Sequence, residues 1–205
     1  MRETKYSCNI SQKALYMKII FLDVDGVLNN DDTTSTYGVF AGWEKKCIDR
    51  LNHIIRKTDA AIVISSSWRM HRNMNEIIHL FNVEMGIRGT ILGSTPVKNV
   101  EERGAEIGAW MKFFKKKTGR DIDRFVIIDD VDPLMFQDHW IEIDTCIGLT
   151  NKEVEKAVCR LNGDRKKVPF LPLLDTLDFC EDLFMSVQSN QTEDDLIFDF
   201  DLPVK

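Results

Sequence analysis

No stretch of the chain reaches the roughly 18 consecutive apolar residues that a membrane-spanning helix needs, although 43% of its 205 residues are hydrophobic. Residues 1–16 also lack the apolar core of a secretory signal. The expectation is a cytoplasmic protein with no membrane partner. Cysteine is scarce and unpatterned: the five, at positions 8, 47, 146, 159 and 180, are odd in number, far apart and without a CxxC, so reduced thiols are expected. The four histidines, at 53, 71, 79 and 139, show no metal-ligand spacing, which argues against zinc. His53 and His79 fall in helical stretches and read as structural. Excess basic charge is missing too. The chain carries 27 Lys and Arg against 33 Asp and Glu, a net charge of −6. The deficit sits in residues 175–205, with nine acids and one lysine, which leaves the remainder close to neutral. The broad positive surface of a nucleic-acid-binding module is therefore not in evidence, and no internal repeat is visible.

What is present is concentrated chemistry. Residues 19–28, IIFLDVDGVL, place Asp23 and Asp25 one residue apart at the end of an apolar run, with Gly26 next. Along a strand side chains alternate, so the two carboxylates would share a face and repel unless a cation or a proton compensates. A hard divalent ion that takes carboxylate and phosphate oxygens is the natural partner, which points to phosphoryl chemistry. The plainer reading is a strand ending in a solvated Asp-Gly turn.

Two further runs favour the chemical reading. Ala61–Ile64 (AIVI) stops at Ser65, Ser66 and Ser67, and Phe125–Ile128 (FVII) stops at Asp129 and Asp130. Short Val/Ile runs separated by helical patterns read as buried parallel strands. In such sheets the loops beyond the carboxyl ends of the strands line one crevice. Four carboxylates and a hydroxyl would then meet at one edge and form a phosphate and metal site.

The strings DVDGV at 23–27, Ser65 after a β run, and IDD at 128–130 resemble motifs I, II and IV of the haloacid dehalogenase (HAD) superfamily. SSSWR at 65–69, RGAEIGAW at 103–110, VIIDD at 126–130 and IGLTNKEVEKAVCRLN at 147–162 further resemble the HAD domain found in Swiss Army Knife RNA repair proteins. The likeness runs from about Met17 to Asn162. It implies an α/β, three-layer Rossmann-like fold with a central parallel sheet, and Mg2+ as cofactor. It also implies a phosphatase in which Asp23 is the nucleophile, forming an aspartyl-phosphate, and Asp25 the general acid and base. Ser65, with Ser66 as runner-up, would hold the transferring phosphoryl group, and Asp23, Asp25, Asp129 and Asp130 would surround the metal. A dehalogenase is disfavoured because Asp25 suits phosphoryl transfer.

The superfamily also needs a cation near the nucleophile, and Lys98 and Arg103 are the candidates. Residues 101–117 read as an amphipathic helix, with Ile107, Trp110, Met111 and Phe114 on one face, acids at the start, lysines at the end and Gly119 beyond. Arg103 lies in its first turn and is preferred; Lys98 takes the role if Arg103 faces solvent. The Trp110 stripe reads as core. Arg69 could grip phosphate and Trp68 could stack on a base; equally, Trp68 could pack over the sheet end and Arg69 pair with an acid. Asp132-Pro133 reads as a turn before a ligand.

Residues 17–163 are expected to form the catalytic domain, with 1–16 and 164–205 as extensions. Met17 is a second possible start. In the C-terminal extension, SVQSNQTEDD at 186–195 reads as a flexible link, and the acidic, apolar-alternating end as a docking strand for a protein partner or as plain disorder. Residues 29–60 leave room for a polar loop and one helix ending near Lys57; residues 70–100 leave room for a helix near Asn75–Phe81 and a strand near Gly89–Leu92. Neither insertion can build a cap domain, so a capless, open site is expected. That suits a phosphate on a polymer end, and together with the resemblance makes phosphorylated nucleic-acid ends the first substrate expectation, with Lys98 and Arg69 as further contacts. Nucleotides or phosphoproteins are the alternative substrates, and a non-catalytic HAD-derived binding module is the alternative of another class.

Overall fold

The computed structural model describes residues 17–37, 42–97 and 103–163. Lys98 and the two expected extensions, 1–16 and 164–205, lie outside the described residues. Five strands, β1 (Lys18–Leu22), β2 (Ala61–Ile64), β3 (Ile91–Ser94), β4 (Arg124–Asp129) and β5 (Trp140–Glu142), form one parallel sheet in the order β3-β2-β1-β4-β5. The helices are α1 (Asp31–Tyr37), α2 (Lys45–Thr58), α3 (Met74–His79), α4 (Arg103–Thr118) and α5 (Asn151–Asn162).

The Val/Ile runs become strands because both faces of the sheet are covered, so every side chain of the run finds apolar company. Ile20, Leu22, Ile62, Ile64, Val126 and Ile128 pack on one side against α2, α3 and α5 through residues such as Leu51, Ile77 and Leu161. Ile19, Phe21, Val63, Phe125 and Ile127 pack on the other against Ile107, Trp110, Met111 and Phe114 of α4. The ring of Phe21 meets Trp110 edge-on at 5.6 Å, and Trp110 stacks on Phe114 at 5.1 Å. The α4 stripe is thus core. Helix, sheet, helix is the three-layer α/β arrangement, with β1 at its centre. At its far end α4 stops at Gly119, whose φ of +66° closes the last turn on the Lys115 carbonyl.

Three local features depart from the sequence expectations. The strand expected near Gly89–Leu92 occupies Ile91–Ser94, and the polar loop after β1 contains the short helix α1. β5 was not anticipated: it has three residues, of which only Ile141 is buried. Among the described residues, neither the connection from β1 to β2 nor that from β2 to β3 builds a second domain, and no helix is long and apolar enough to cross a membrane.

Candidate active site

The sheet register assembles the site. Leu22 lies opposite Ile64 and Ile128, and Ile64 opposite Ser94. One residue further along each strand come Asp23, Ser65, Asp129 and Thr95. The pairing persists into this row: the Asp23 N–H donates to the Ile128 carbonyl at 3.0 Å, Ser65 N–H to Leu22 at 2.9 Å, and Thr95 N–H to Ile64 at 2.9 Å. Because Phe21, Val63 and Ile127 face α4, side chains two residues on face it as well. Asp23, Ser65 and Asp129 therefore look toward the N-terminus of α4.

Arg103, the first residue of α4, reaches down onto this row. Its Nη2 donates to Asp23 Oδ2 at 3.2 Å, and its Nε lies 3.1 Å from Asp129 Oδ2. The reach depends on Gly104, where a Cβ would fall 2.4 Å from the Pro133 carbonyl oxygen; only glycine lets the helix start so close to the loop after β4. Asp23 is 5% exposed and Asp129 fully buried. Burial would depress the Arg103 pKa, but Asp23 and Asp129 outweigh it and hold the guanidinium above its ordinary value.

Asp23, Asp129 and Asp130 each offer an oxygen within 4.8 Å of the others. Burial, then the charge of Asp23, pushes the Asp129 carboxyl up to about 8, and the same two causes raise Asp130. Asp129 Oδ2 is buried and accepts no aligned hydrogen bond among the described residues despite its ion-pair distance to Arg103. Three hard oxygens, crowded, desolvated and incompletely satisfied, fit a small divalent cation such as Mg2+. Gly26 contributes to the crowding. Its φ is +72°, and a Cβ there would lie 3.0 Å from the Asp130 carboxylate.

Asp25 is placed differently from the expectation, and its side chain does not join the metal cluster. Its Oδ2 accepts the Trp68 indole N–H at 2.8 Å, and its Oδ1 accepts the Asn29 amide at 2.8 Å. The alternation that would put it beside Asp23 ends at Asp23 itself: the chain turns at once, with the Leu28 N–H bonded to the Val24 carbonyl at 2.8 Å. Asn29 Oδ1 in turn accepts the Gly26 N–H at 2.7 Å, tying the loop to itself.

Ser65 and Ser66 separate cleanly. Ser66 Oγ accepts the Trp68 N–H at 3.3 Å and caps the 3-10 turn Ser67–Met70, so it is occupied. Ser65 Oγ is buried with no hydrogen-bond partner among the described residues, and so is Thr95 Oγ1 at the end of β3. Arg69, expected as a substrate contact, is only 6% exposed and engaged within the fold: it pairs with Glu106 at 2.6 Å and donates to the Ser65 carbonyl at 2.7 Å. It braces the loop that carries Ser65, and Glu106 on α4 is the acid that holds it. Trp68 is fully buried, which leaves no ring face for a base. Asp132 accepts the Leu134 N–H at 2.7 Å and serves the turn. Asn29, Thr95, Glu106 as the partner of Arg69 and Trp68 as a donor to Asp25 are the site roles that local sequence did not give.

A parallel sheet whose central strand ends in Asp-x-Asp, with a hydroxyl at the next strand end and paired aspartates at the third, defines a HAD-type fold and site. The chain belongs to the family described as the HAD domain in Swiss Army Knife RNA repair proteins, whose model matches residues 19–154. No curated protein and no solved structure matches it.

Proposed function

We propose that the chain is a Mg2+-dependent phosphohydrolase that works through an aspartyl-phosphate on Asp23 and acts on phosphorylated nucleic-acid ends. The observation that carries this reading is the buried Asp23 held by Arg103 to Asp129, with Asp130 in reach, at the carboxyl edge of the sheet. Asp23, Asp129 and Asp130 would hold the ion. When bound, Mg2+ neutralises the clustered carboxylates and the substrate phosphate and draws charge from the phosphoryl group.

The remaining work falls to the chain. An Asp23 carboxylate oxygen attacks phosphorus, forming the new O–P bond as the ester P–O bond breaks. Arg103, already against Asp23, stabilises the negative charge on the phosphoryl oxygens, and the Ser65 hydroxyl, without a partner among the described residues, donates to one of them. Asp25 gives a proton to the departing alkoxide. It then takes one from the water that attacks phosphorus, releasing inorganic phosphate and freeing Asp23.

A nucleotide or phosphoprotein substrate is the second reading, favoured by charge. The net charge is −6, Arg69 is committed to Glu106, and Lys115–Lys117 lie at the end of α4 away from Arg103. Phosphate release from 3'- and 5'-phosphorylated oligonucleotides, mononucleotides, phosphopeptides and an aryl phosphate separates them. Higher kcat/KM for an oligonucleotide end than for its mononucleotide, with the advantage shrinking as salt rises, supports nucleic-acid ends. Equal efficiencies move the assignment to the second reading, and no release from any substrate overturns the phosphohydrolase.

A further inference from the structure

We propose that Trp68 and Asn29 form a positioning clasp for Asp25, setting it for proton transfer to the leaving group; this rests on the phosphohydrolase reading above. A carboxylate at a strand-loop junction has free rotation about χ1 and χ2 unless its oxygens are fixed. Here each oxygen has its own donor at 2.8 Å, the indole Nε1 on Oδ2 and the Asn29 Nδ2 on Oδ1. The donors come from different parts of the chain. Asn29 follows Asp25 by four residues in the loop that Gly26 closes, whereas Trp68 follows β2, 43 residues away.

Both donors are themselves fixed. Trp68 and Asn29 are fully buried, and the Arg72 guanidinium lies 4.7 Å above the indole ring. The Trp68 backbone is anchored by Ser66, and the carbonyls before it by Arg69. The buried Arg69–Glu106 pair consequently serves the acid as well as Ser65, because it sets the turn on which the indole rides. A tryptophan in this place acts through its N–H, and a phenylalanine would fill most of the same space without it.

The clasp keeps Asp25 apart from the carboxylate cluster of Asp23, Asp129 and Asp130. Two roles are thereby separated in space, charge crowding for the ion and a single oriented carboxyl for protons. Neither Trp68 nor Asn29 is proposed to touch substrate. Each acts through Asp25.

Leaving-group dependence tests this. A departing alkoxide needs the proton of Asp25 and a nitrophenolate hardly does, so a misplaced Asp25 should slow the first and spare the second. Trp68→Phe is expected to lose about 10- to 100-fold in kcat/KM on an alkyl or sugar phosphate, the range for one hydrogen bond to a charged acceptor. On p-nitrophenyl phosphate it should lose less than about threefold. Incorporation of 3-benzothienylalanine at Trp68 replaces the N–H with sulfur in the same shape and should reproduce the split if Trp68→Phe folds poorly. Equal losses on both esters, or none on either, in a wild-type-active protein would overturn the clasp alone. A wild type inert on both esters would overturn the phosphohydrolase reading and the clasp with it.

Discussion

The buried, crowded Asp129 makes the stability of the metal-free protein depend on pH. Its carboxyl is raised to about 8 by burial and by Asp23, while in the unfolded chain it returns to the usual carboxylate range near 3.9. Between those values the folded protein holds a proton that the unfolded chain has released. The stabilisation is therefore full below the unfolded value and is lost as pH rises through about 8. From pH 6 to 8.5 the loss amounts to about 2–3 kcal/mol, or roughly 5–10 °C in Tm for a domain of this size. Asp130, raised by the same causes, adds to it in the same direction. Thermal or urea unfolding in EDTA at several pH values across this window measures the slope. Asp129→Asn should remove most of it, and Mg2+ should stabilise more at pH 8.5 than at pH 6 because it displaces the proton. A flat profile in EDTA, or an undiminished slope in Asp129→Asn, would refute the reasoning.

Three other perturbations follow from the site. Chelation should abolish phosphatase activity and Mg2+ restore it, and Asp129→Ala should weaken Mg2+ binding at least about tenfold in calorimetry; full activity in EDTA would contradict the cluster. Gly26→Ala should cost about 1–2 kcal/mol in urea unfolding, because its φ is +72° and the new Cβ meets the Asp130 carboxylate at 3.0 Å; it should also weaken Mg2+, and unchanged stability and affinity would count against that contact. Thr95→Val should leave Tm unchanged or raise it, since it deletes a buried hydroxyl without a partner among the described residues; a loss of more than about 1 kcal/mol would mean that the hydroxyl is bonded.

The parallel core was legible because its signal is local. IIFL, AIVI and FVII are buried on both faces and can be little else than central strands, and α4 showed its inner face at helical spacing. β5 was hidden because a three-residue strand with one buried side chain has no periodicity to read. α1 was hidden because DDTTSTY offers no apolar stripe. At the site, Asp23, Ser65, Asp129 and Asp130 could be anticipated because each directly follows a strand or ends one. Asp25 could not be placed from the period of two, which stops where the chain turns after Asp23. Arg69 was ambiguous for a similar reason. Its partner Glu106 lies 37 residues away on another element, and only the packing of α4 over β2 brings the two together. The same holds for the indole that reaches Asp25.

The nucleophilic role of Asp23 is tested most directly by rapid acid quench during turnover of a 32P-labelled phosphate ester with Mg2+, followed by mapping of the labelled peptide. Label should appear on Asp23, be released by hydroxylamine as expected of an acyl phosphate, and be absent from Asp23→Asn, which should also lose nearly all turnover. Turnover without any labelled protein, or label and activity that survive in Asp23→Asn, would contradict it.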